Sequence, residues 1–191
     1  MKIQQVFSTY SYQGNNGLSG IQYCSRCGNP YEFKEESGKI RPVCPRCGFI
    51  FYKNPSPGVS VLIAENERVL LCKRGPGNFQ SGKWCLPCGF MEFDEDFLIA
   101  ARREVKEETG LDVKLQNIIN VSFNFLSPEV HSLVIVLDGK IIGGELCPGD
   151  DIEEAEWFPL NGPFPEMAFK ADVMIIEKYK VKKLAGIPVC E

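Results

Sequence analysis

The sequence predicts an α/β domain preceded by a small zinc-binding module, and three observations carry the prediction. Two Cys-x-x-Cys-Gly pairs, Cys24-Ser25-Arg26-Cys27-Gly28 and Cys44-Pro45-Arg46-Cys47-Gly48, stand 16 residues apart, a spacing expected of a four-cysteine zinc site. Two aliphatic runs, residues 59–64 (VSVLIA) and 68–73 (RVLLCK), flank an Asn/Glu turn and read as a hairpin. An amphipathic acidic segment then starts near Asp94 and stops at Gly110, the residue type that closes helices in the left-handed conformation. At 191 residues the chain suits one ordinary domain plus an appendage, since domains cluster at about 100–150 residues.

Composition narrows the function. The hydrophobic share of 44% and charged share of 24% are ordinary for a globular protein, and no apolar run approaches the about 18 residues of a membrane span. Residues 1–21 hold neither an apolar signal core nor an Arg-rich amphipathic pattern and read as a lead-in. A net charge of -4 argues against nucleic acid or anionic lipid as a partner, so an anionic substrate must meet local positive groups or a metal. Nine cysteines without a secretory signal point to a reducing compartment, the cytoplasm, where paired cysteines more often bind metal than form disulfides.

Taken in order, residues 22–53 form the zinc ribbon, with Cys24, Cys27, Cys44 and Cys47 as ligands of a structural Zn2+. Each Cys-x-x-Cys turn presents two thiolates to one side, and the following glycine takes the positive φ that aims backbone N–H groups at the sulfurs. The linking segment 29–43, NPYEFKEESGKIRPV, reads as a hairpin turning at EESGK. Four cysteine ligands leave no open coordination position and the surroundings are not strongly basic, which favours a structural module over a nucleic-acid reader. Tyr23, Tyr31, Phe33, Phe49, Phe51 and Tyr52 supply its small core. The Pro-rich stretch Lys53-Asn54-Pro55-Ser56-Pro57 is the joint, and the main domain spans 57–188.

On the acidic helix, Phe97, Leu98, Ala101 and Val105 share one arc at about 100° per residue. Glu104 and Glu108 lie close to that arc with Glu107 beside them, while Arg102, Arg103 and Lys106 fall on the other side. A solvated, salt-bridged face is the ordinary meaning of such a charge run, but Glu104 and Glu108 carry like charge one turn apart at the rim of the buried stripe. A divalent cation resolves both conflicts, and clustered carboxylates suit Mg2+ or Mn2+. A last helix is expected over residues 168–184, with Val173, Ile176, Tyr179, Lys180 and Leu184 as its stripe.

From Gly89 the pattern runs five residues to Glu95, seven more to Arg103-Glu104-Val105, one to Glu107-Glu108, and one to Gly110-Leu111. This resembles the Nudix box, with every fixed position filled over 23 residues. LPCGFME before the box and EEAEWFPL around Trp157 look like the strands that flank it. With the zinc module in front, the chain is similar to the ribbon-bearing Nudix hydrolases that include ADP-ribose, NADH and FAD pyrophosphatases. The resemblance implies an α/β/α sandwich with a mixed sheet. It also implies hydrolysis of the diphosphate bond in a nucleoside diphosphate joined to another group, by attack of water on phosphorus with metal assistance.

By the same resemblance Glu104 and Glu108 are metal ligands, Glu107 is a further ligand or the water-activating base, and the Gly89 carbonyl completes the shell. Arg103 orients carboxylates, and Glu95 supports the N-terminal side of the helix. Asp150, Asp151, Glu153 and Glu154 are the alternative source of the base, with an acidic surface turn as the plain reading. Phosphate contacts are expected from Arg74, Lys83 or Lys73, and stacking from Phe79, Trp84, Phe125 or Trp157, whereas His131 is structural. Trp84-Cys85-Leu86-Pro87-Cys88 spells a dithiol redox centre, but no helix follows it directly to lower a thiol pKa, and the family commonly has a small residue at the position of Cys88. The NADH-hydrolysing relatives carry SQPWPFP after the box; here residues 121–132 read VSFNFLSPEVHS, and Pro128 lies near the place of a proline in ADP-ribose hydrolases. The expected substrate is therefore a small nucleotide, ADP-ribose ahead of FAD or NADH, and a homodimer is common among relatives. A non-catalytic binding module and an RNA 5′-end enzyme are the rivals.

Overall fold

The computed structural model describes residues 18, 20–127, 129–181, 184 and 186–190. Most of the lead-in, and Pro128, lie outside the described residues.

In the ribbon, strands β1 (Glu32–Glu36) and β2 (Lys39–Val43) pair antiparallel. Their two-residue turn, Ser37 and Gly38, has φ of 53° and 73°, the left-handed pair that matches the twist of a hairpin. Both knuckles close alike: Gly28 N–H donates to the Cys24 carbonyl at 2.8 Å and Gly48 N–H to that of Cys44 at 2.9 Å. The ribbon's core consists of buried Cys24, Tyr31 and Cys44 ringed by Ile21, Cys27, Phe49 and Phe51. So small a core needs a covalent or metal staple.

The main domain runs β3 (Ser56–Glu65), β4 (Arg68–Arg74), β5 (Trp84–Cys85), β6 (Cys88–Phe90), α1 (Phe97–Thr109), β7 (Leu111–Phe125), β8 (His131–Gly144), β9 (Ile152–Pro159), α2 (Lys170–Lys180) and β10 (Ile187–Pro188). The sheet order is β10-β7-β8-β3-β4-β5, with β6 on β3 and β9 on β4. β3 and β8 pair in parallel while the other pairs are antiparallel, so the sheet is mixed. Alternation along β3 divides the core. Val59, Val61 and Ile63 meet Ala100, Ala101 and Val105 of α1 on one face, and Leu62 meets Ala171, Ile175 and Ile176 of α2 on the other. The α/β/α sandwich is thus present. No helix among the described residues is long and apolar enough to cross a membrane.

Three boundaries differ from the sequence-based expectation. Helix α1 begins at Phe97 because the Asp96 carboxylate caps it, accepting from Leu98 N–H at 2.8 Å and Ile99 N–H at 2.9 Å. Strand β3 draws the proline joint into the sheet, Ser56 pairing with Ser132 and Pro57 with Leu133. Helix α2 is shorter than expected, and its buried face is Ala171, Asp172, Ile175 and Ile176, with Lys180 exposed. Of the predicted stripe, Ile176 lies on that face and Tyr179 and Leu184 pack against the same core, while Lys180 is exposed.

Candidate active site

Helix α1 turns two carboxylates inward. Glu104 is 7% exposed and Glu108 is 1% exposed, and the Cys88 N–H donates to Glu108 Oε2 at 2.9 Å. Among the described residues no Lys or Arg pairs with Glu108, and burial pushes its carboxyl well above the usual range. Glu104 is also raised by burial, against the pull of Arg103. Gly89 lies directly against Glu104: a Cβ there would overlap the carboxylate. Neighbouring Gly58 also lacks the Cβ that would sit 2.9 Å from the Gly89 carbonyl oxygen.

Arg103 gathers the remaining acids. It donates to Glu95 at 3.0 and 2.5 Å, to Glu104 Oε1 at 2.8 Å, to Glu107 Oε2 at 2.9 Å, and to the Phe90 carbonyl at 3.1 Å. Glu95 also accepts the Glu92 N–H at 2.8 Å, and its carboxyl is lowered by Arg103. Glu107 is exposed. Among the described residues the set found close enough to share one metal ion is the ribbon's, with the sulfurs of Cys24, Cys27, Cys44 and Cys47 all within 4.8 Å of one another. The box glutamates are not in such a set; Arg103 holds three of them, Glu95, Glu104 and Glu107.

Of the two inward carboxylates, Glu104 borders a cavity of about 380 Å3. Its mouth carries Arg74, Asn78, Phe79, Asp150, Asp151 and Phe169. Arg74 donates to the Phe79 carbonyl at 2.6 Å and to Asp151 at 3.4 Å, which ties the 75–82 loop to the 147–151 turn. The Phe79 and Phe169 rings stack 6.4 Å apart at 16°. Of the four acids in the turn, Asp150 and Asp151 reach the cavity, while Glu153 and Glu154 pair with Lys73.

Of the expected substrate contacts, Arg74 and Phe79 line the cavity and Lys73, Lys83, Trp84 and Trp157 do not. Trp84 is 8% exposed in the α2-side core, edge-on to Phe158, and a parallel bridge to Met167 holds it there. Lys83 pairs with Glu166 at 3.0 Å, and neither it nor His131 lines the cavity. Trp157 packs against the α1-side core.

Sequence reasoning missed the cavity's floor: Ser60, Ser122, Asn124 and Ser132 from the sheet, and Asp172 from α2. Burial raises the Asp172 carboxyl to about 7 although it accepts the Leu86 N–H at 3.1 Å. One signal was available, the alternation Asn120-x-Ser122-x-Asn124, which ordinarily marks a solvent-facing edge.

With this geometry in hand, comparisons with known proteins are specific. A family model described as NUDIX domain matches residues 54–177, and a zinc-ribbon model described as Nudix N-terminal matches residues 22–53. The ADP-ribose pyrophosphatase of Methanocaldococcus jannaschii is 40% identical over 130 residues, covering 65% of this chain and 73% of that protein. The NAD-capped RNA hydrolase NudC of Stutzerimonas stutzeri is 30% identical over 178 residues, covering 92% of this chain. The chain spans 62% of that relative's length. The crystal structure of a NUDIX hydrolase from Nitrosomonas europaea matches with a TM-score of 0.72 at 29% identity, covering 89% of this chain and 96% of that one. The chain therefore belongs to the Nudix family, as a hydrolase of pyrophosphate bonds with a zinc-ribbon module in front of its NUDIX domain.

Proposed function

We propose that the protein hydrolyses the diphosphate bond of an ADP-linked compound, ADP-ribose first, and releases AMP. The observation that carries this reading is the buried carboxylate of Glu104, set against Gly89 at the edge of a cavity that Arg74 also lines, with buried Glu108 one turn further along α1. The relative named ADP-ribose pyrophosphatase supports the choice of substrate.

The residues fit a hard divalent cation: the donors are all oxygens, two residues offer buried carboxylates, and Gly58 sets no Cβ against the Gly89 carbonyl. Glu104, Glu107, Glu108 and the Gly89 carbonyl would hold Mg2+ or Mn2+, which when bound neutralises the diphosphate and stabilises charge on the attacking and leaving oxygens. Arg103 positions Glu104 and Glu107 and is itself fixed by Glu95, so these two residues act through the ligands. Arg74 meets the diphosphate at the mouth, and Phe79 with Phe169 offers a stacking surface beside it. The proton of the attacking water passes to Glu107 or to one of Asp150 and Asp151, the acids of the later turn that reach the cavity. Glu107→Gln and Asp150→Asn distinguish these. The ribbon's four cysteines would hold Zn2+ as a structural ion.

A second reading, a dinucleotide of the NADH type, is favoured by the NudC relative, whose match extends over both ribbon and domain. The deciding experiment is Mg2+-dependent AMP release from ADP-ribose, NADH, FAD and a capped RNA in parallel, with Glu104→Gln as control. Cleavage of one small nucleotide that Glu104→Gln abolishes is the expected result. Unchanged turnover in Glu104→Gln and Glu108→Gln would overturn the assignment.

A further inference from the structure

One row of paired residues runs along the cavity across four strands, Phe90 of β6, Gly58 of β3, Val134 of β8 and Ser122 of β7, and all four line it. At roughly 4.8 Å between strands the row spans about 14 Å, from the edge where Glu104 lies against Gly89 to β7. Gly58 keeps the middle of the row low, since a Cβ there would stand 2.9 Å from the Gly89 carbonyl oxygen and 3.7 Å from Val134 Cγ2. The far end is polar. Ser132 of β8 is paired with Asn124 of β7, and Ser122 precedes Asn124 by two residues on the same strand face. These three neutral side chains line the cavity as one triangular patch, neighbours standing about 5–7 Å apart.

Ser122 and Ser132 are each 2% exposed, while Phe123 beside them is 38% exposed, the reverse of what the hydrophobic effect assigns to a strand. Among the described residues no partner holds the Ser122 or Ser132 hydroxyl or the Asn124 amide. The Ser60 hydroxyl and the Asn120 amide, one row further along, are sealed from the cavity; the polar atoms of the patch are not. Inward polar groups of this kind call for a hydrogen-bonding occupant. Charge limits what it is. Among the described residues lining the cavity, Arg74 is the one cation, already engaged by Asp151 and the Phe79 carbonyl, against the acids Glu104, Asp150, Asp151 and Asp172. With the diphosphate at Arg74 and the Glu104 edge, a further phosphate on the patch would meet no cation of its own. Two hydroxyls and an amide, by contrast, both donate and accept, as the hydroxyls of a sugar do. We propose that Ser122, Asn124 and Ser132 form the subsite for the group joined to the ADP diphosphate, and that this group is an uncharged sugar held through its hydroxyls. The inference rests on the hydrolase reading above and assigns the far half of its substrate.

The test measures kcat/KM for Mg2+-dependent AMP release by the full chain from three compounds. They are ADP-ribose, the ADP pentyl ester, which keeps the chain length without the hydroxyls, and ADP-ribose phosphorylated on its terminal ribose. ADP-ribose is expected to lead each analogue by at least about tenfold, because a site built to bond hydroxyls rejects a ligand without them and an unpaired phosphate faces like charge. Ser132→Ala and Asn124→Ala should reduce the lead over the pentyl ester to about threefold, through a higher KM for ADP-ribose. A merely structural loss would lower turnover of both compounds and leave the ratio standing. Ser122→Ala, which removes a single oxygen, must follow the same course, with Tm measured beside it. A lead that persists in all three variants overturns the subsite and leaves the hydrolase reading intact. So does a wild-type protein that cleaves the pentyl ester, or the phosphorylated compound, as well as ADP-ribose. Failure of the wild-type protein to release AMP from any nucleotide derivative overturns the hydrolase reading and the subsite with it.

Discussion

In the ribbon, Cys24-x-x-Cys27 and Cys44-x-x-Cys47 bring four sulfurs within 4.8 Å of one another, whereas in the domain Cys85-x-x-Cys88 bridges two short strands that pair with different neighbours. The ribbon's turns close on glycines with φ near 70° (Gly28) and 73° (Gly48), which folds each pair back toward one point. The domain's pair is stretched between β4 and β3, Cys85 opposite Cys72 and Cys88 opposite Ser60, and Val61 N–H grips the intervening Pro87 carbonyl at 2.9 Å. Its thiols are held protonated. The contact with Cys85 and burial push Cys88 well above its ordinary value, and Cys85, lowered by Cys88 but raised by burial and nearby acids, also ends high. The same spacing gives a metal cradle where the chain reverses, and two thiols with raised pKa, one buried and one at the cavity, where it runs on as strand.

The sharpest way to break this comparison is to remove the ribbon's metal. Structural zinc contributes an apparent ~10–16 kcal/mol in small modules, far beyond what three buried residues supply. Chelation or Cys44→Ser should therefore expose residues 22–53 to protease while the NUDIX domain still melts cooperatively. One zinc per chain by elemental analysis is the companion measurement. Trp84, next to the domain's pair, gives the next largest effect. Trp84→Ala should cost about 3–5 kcal/mol in denaturant unfolding, as large aromatic deletions in cores do, with KM little changed; Phe79→Ala should do the reverse.

Asp172 sharpens the comparison further, since its contact with Leu86 N–H fastens the stretch between Cys85 and Cys88. Burial raises its carboxyl from 3.8 to about 7, opposed by the Leu86 N–H and by Arg74, and Cys85 and Cys88 flank it. The native state thus binds the extra proton between these values. This contribution stabilises the fold at low pH and is lost as pH rises through about 7, at up to roughly 1.4 kcal/mol per pH unit. In Asp172→Asn that slope in Tm between pH 4 and 7 should flatten. The smallest effect is expected from Cys88→Ala, where kcat should change by less than about threefold, ~0.6 kcal/mol. Activity that instead followed a Cys85–Cys88 disulfide would abolish the distinction between the two kinds of pair.

Local spacing made the ribbon, helix α1 and the inward position of Glu104 and Glu108 legible, because each rests on contacts within a few residues or on helical periodicity. What stayed hidden depends on distant partners. Trp84 is taken into the core by Phe158 of β9 and by Met167, and Lys83 is engaged by Glu166; Glu166 and Met167 lie in the segment before α2. Ser122 and Asn124 alternate as a solvent edge does, yet the fold makes them part of a cavity lining to which α2 adds Asp172. Asp172 sits in a helix whose sequence favours two faces almost equally, and the packing of Ile175 and Ile176 decides between them.

Gly89 has a consequence at the level of the gene. Every single-base change of a glycine codon that replaces glycine with another amino acid adds a Cβ, and at position 89 that atom meets the tip of the Glu104 side chain. The tip can swing aside, so the chain folds and accumulates while its carboxylate is displaced. Alleles at this codon would pass any screen that counts protein, and only one that counts turnover would find them.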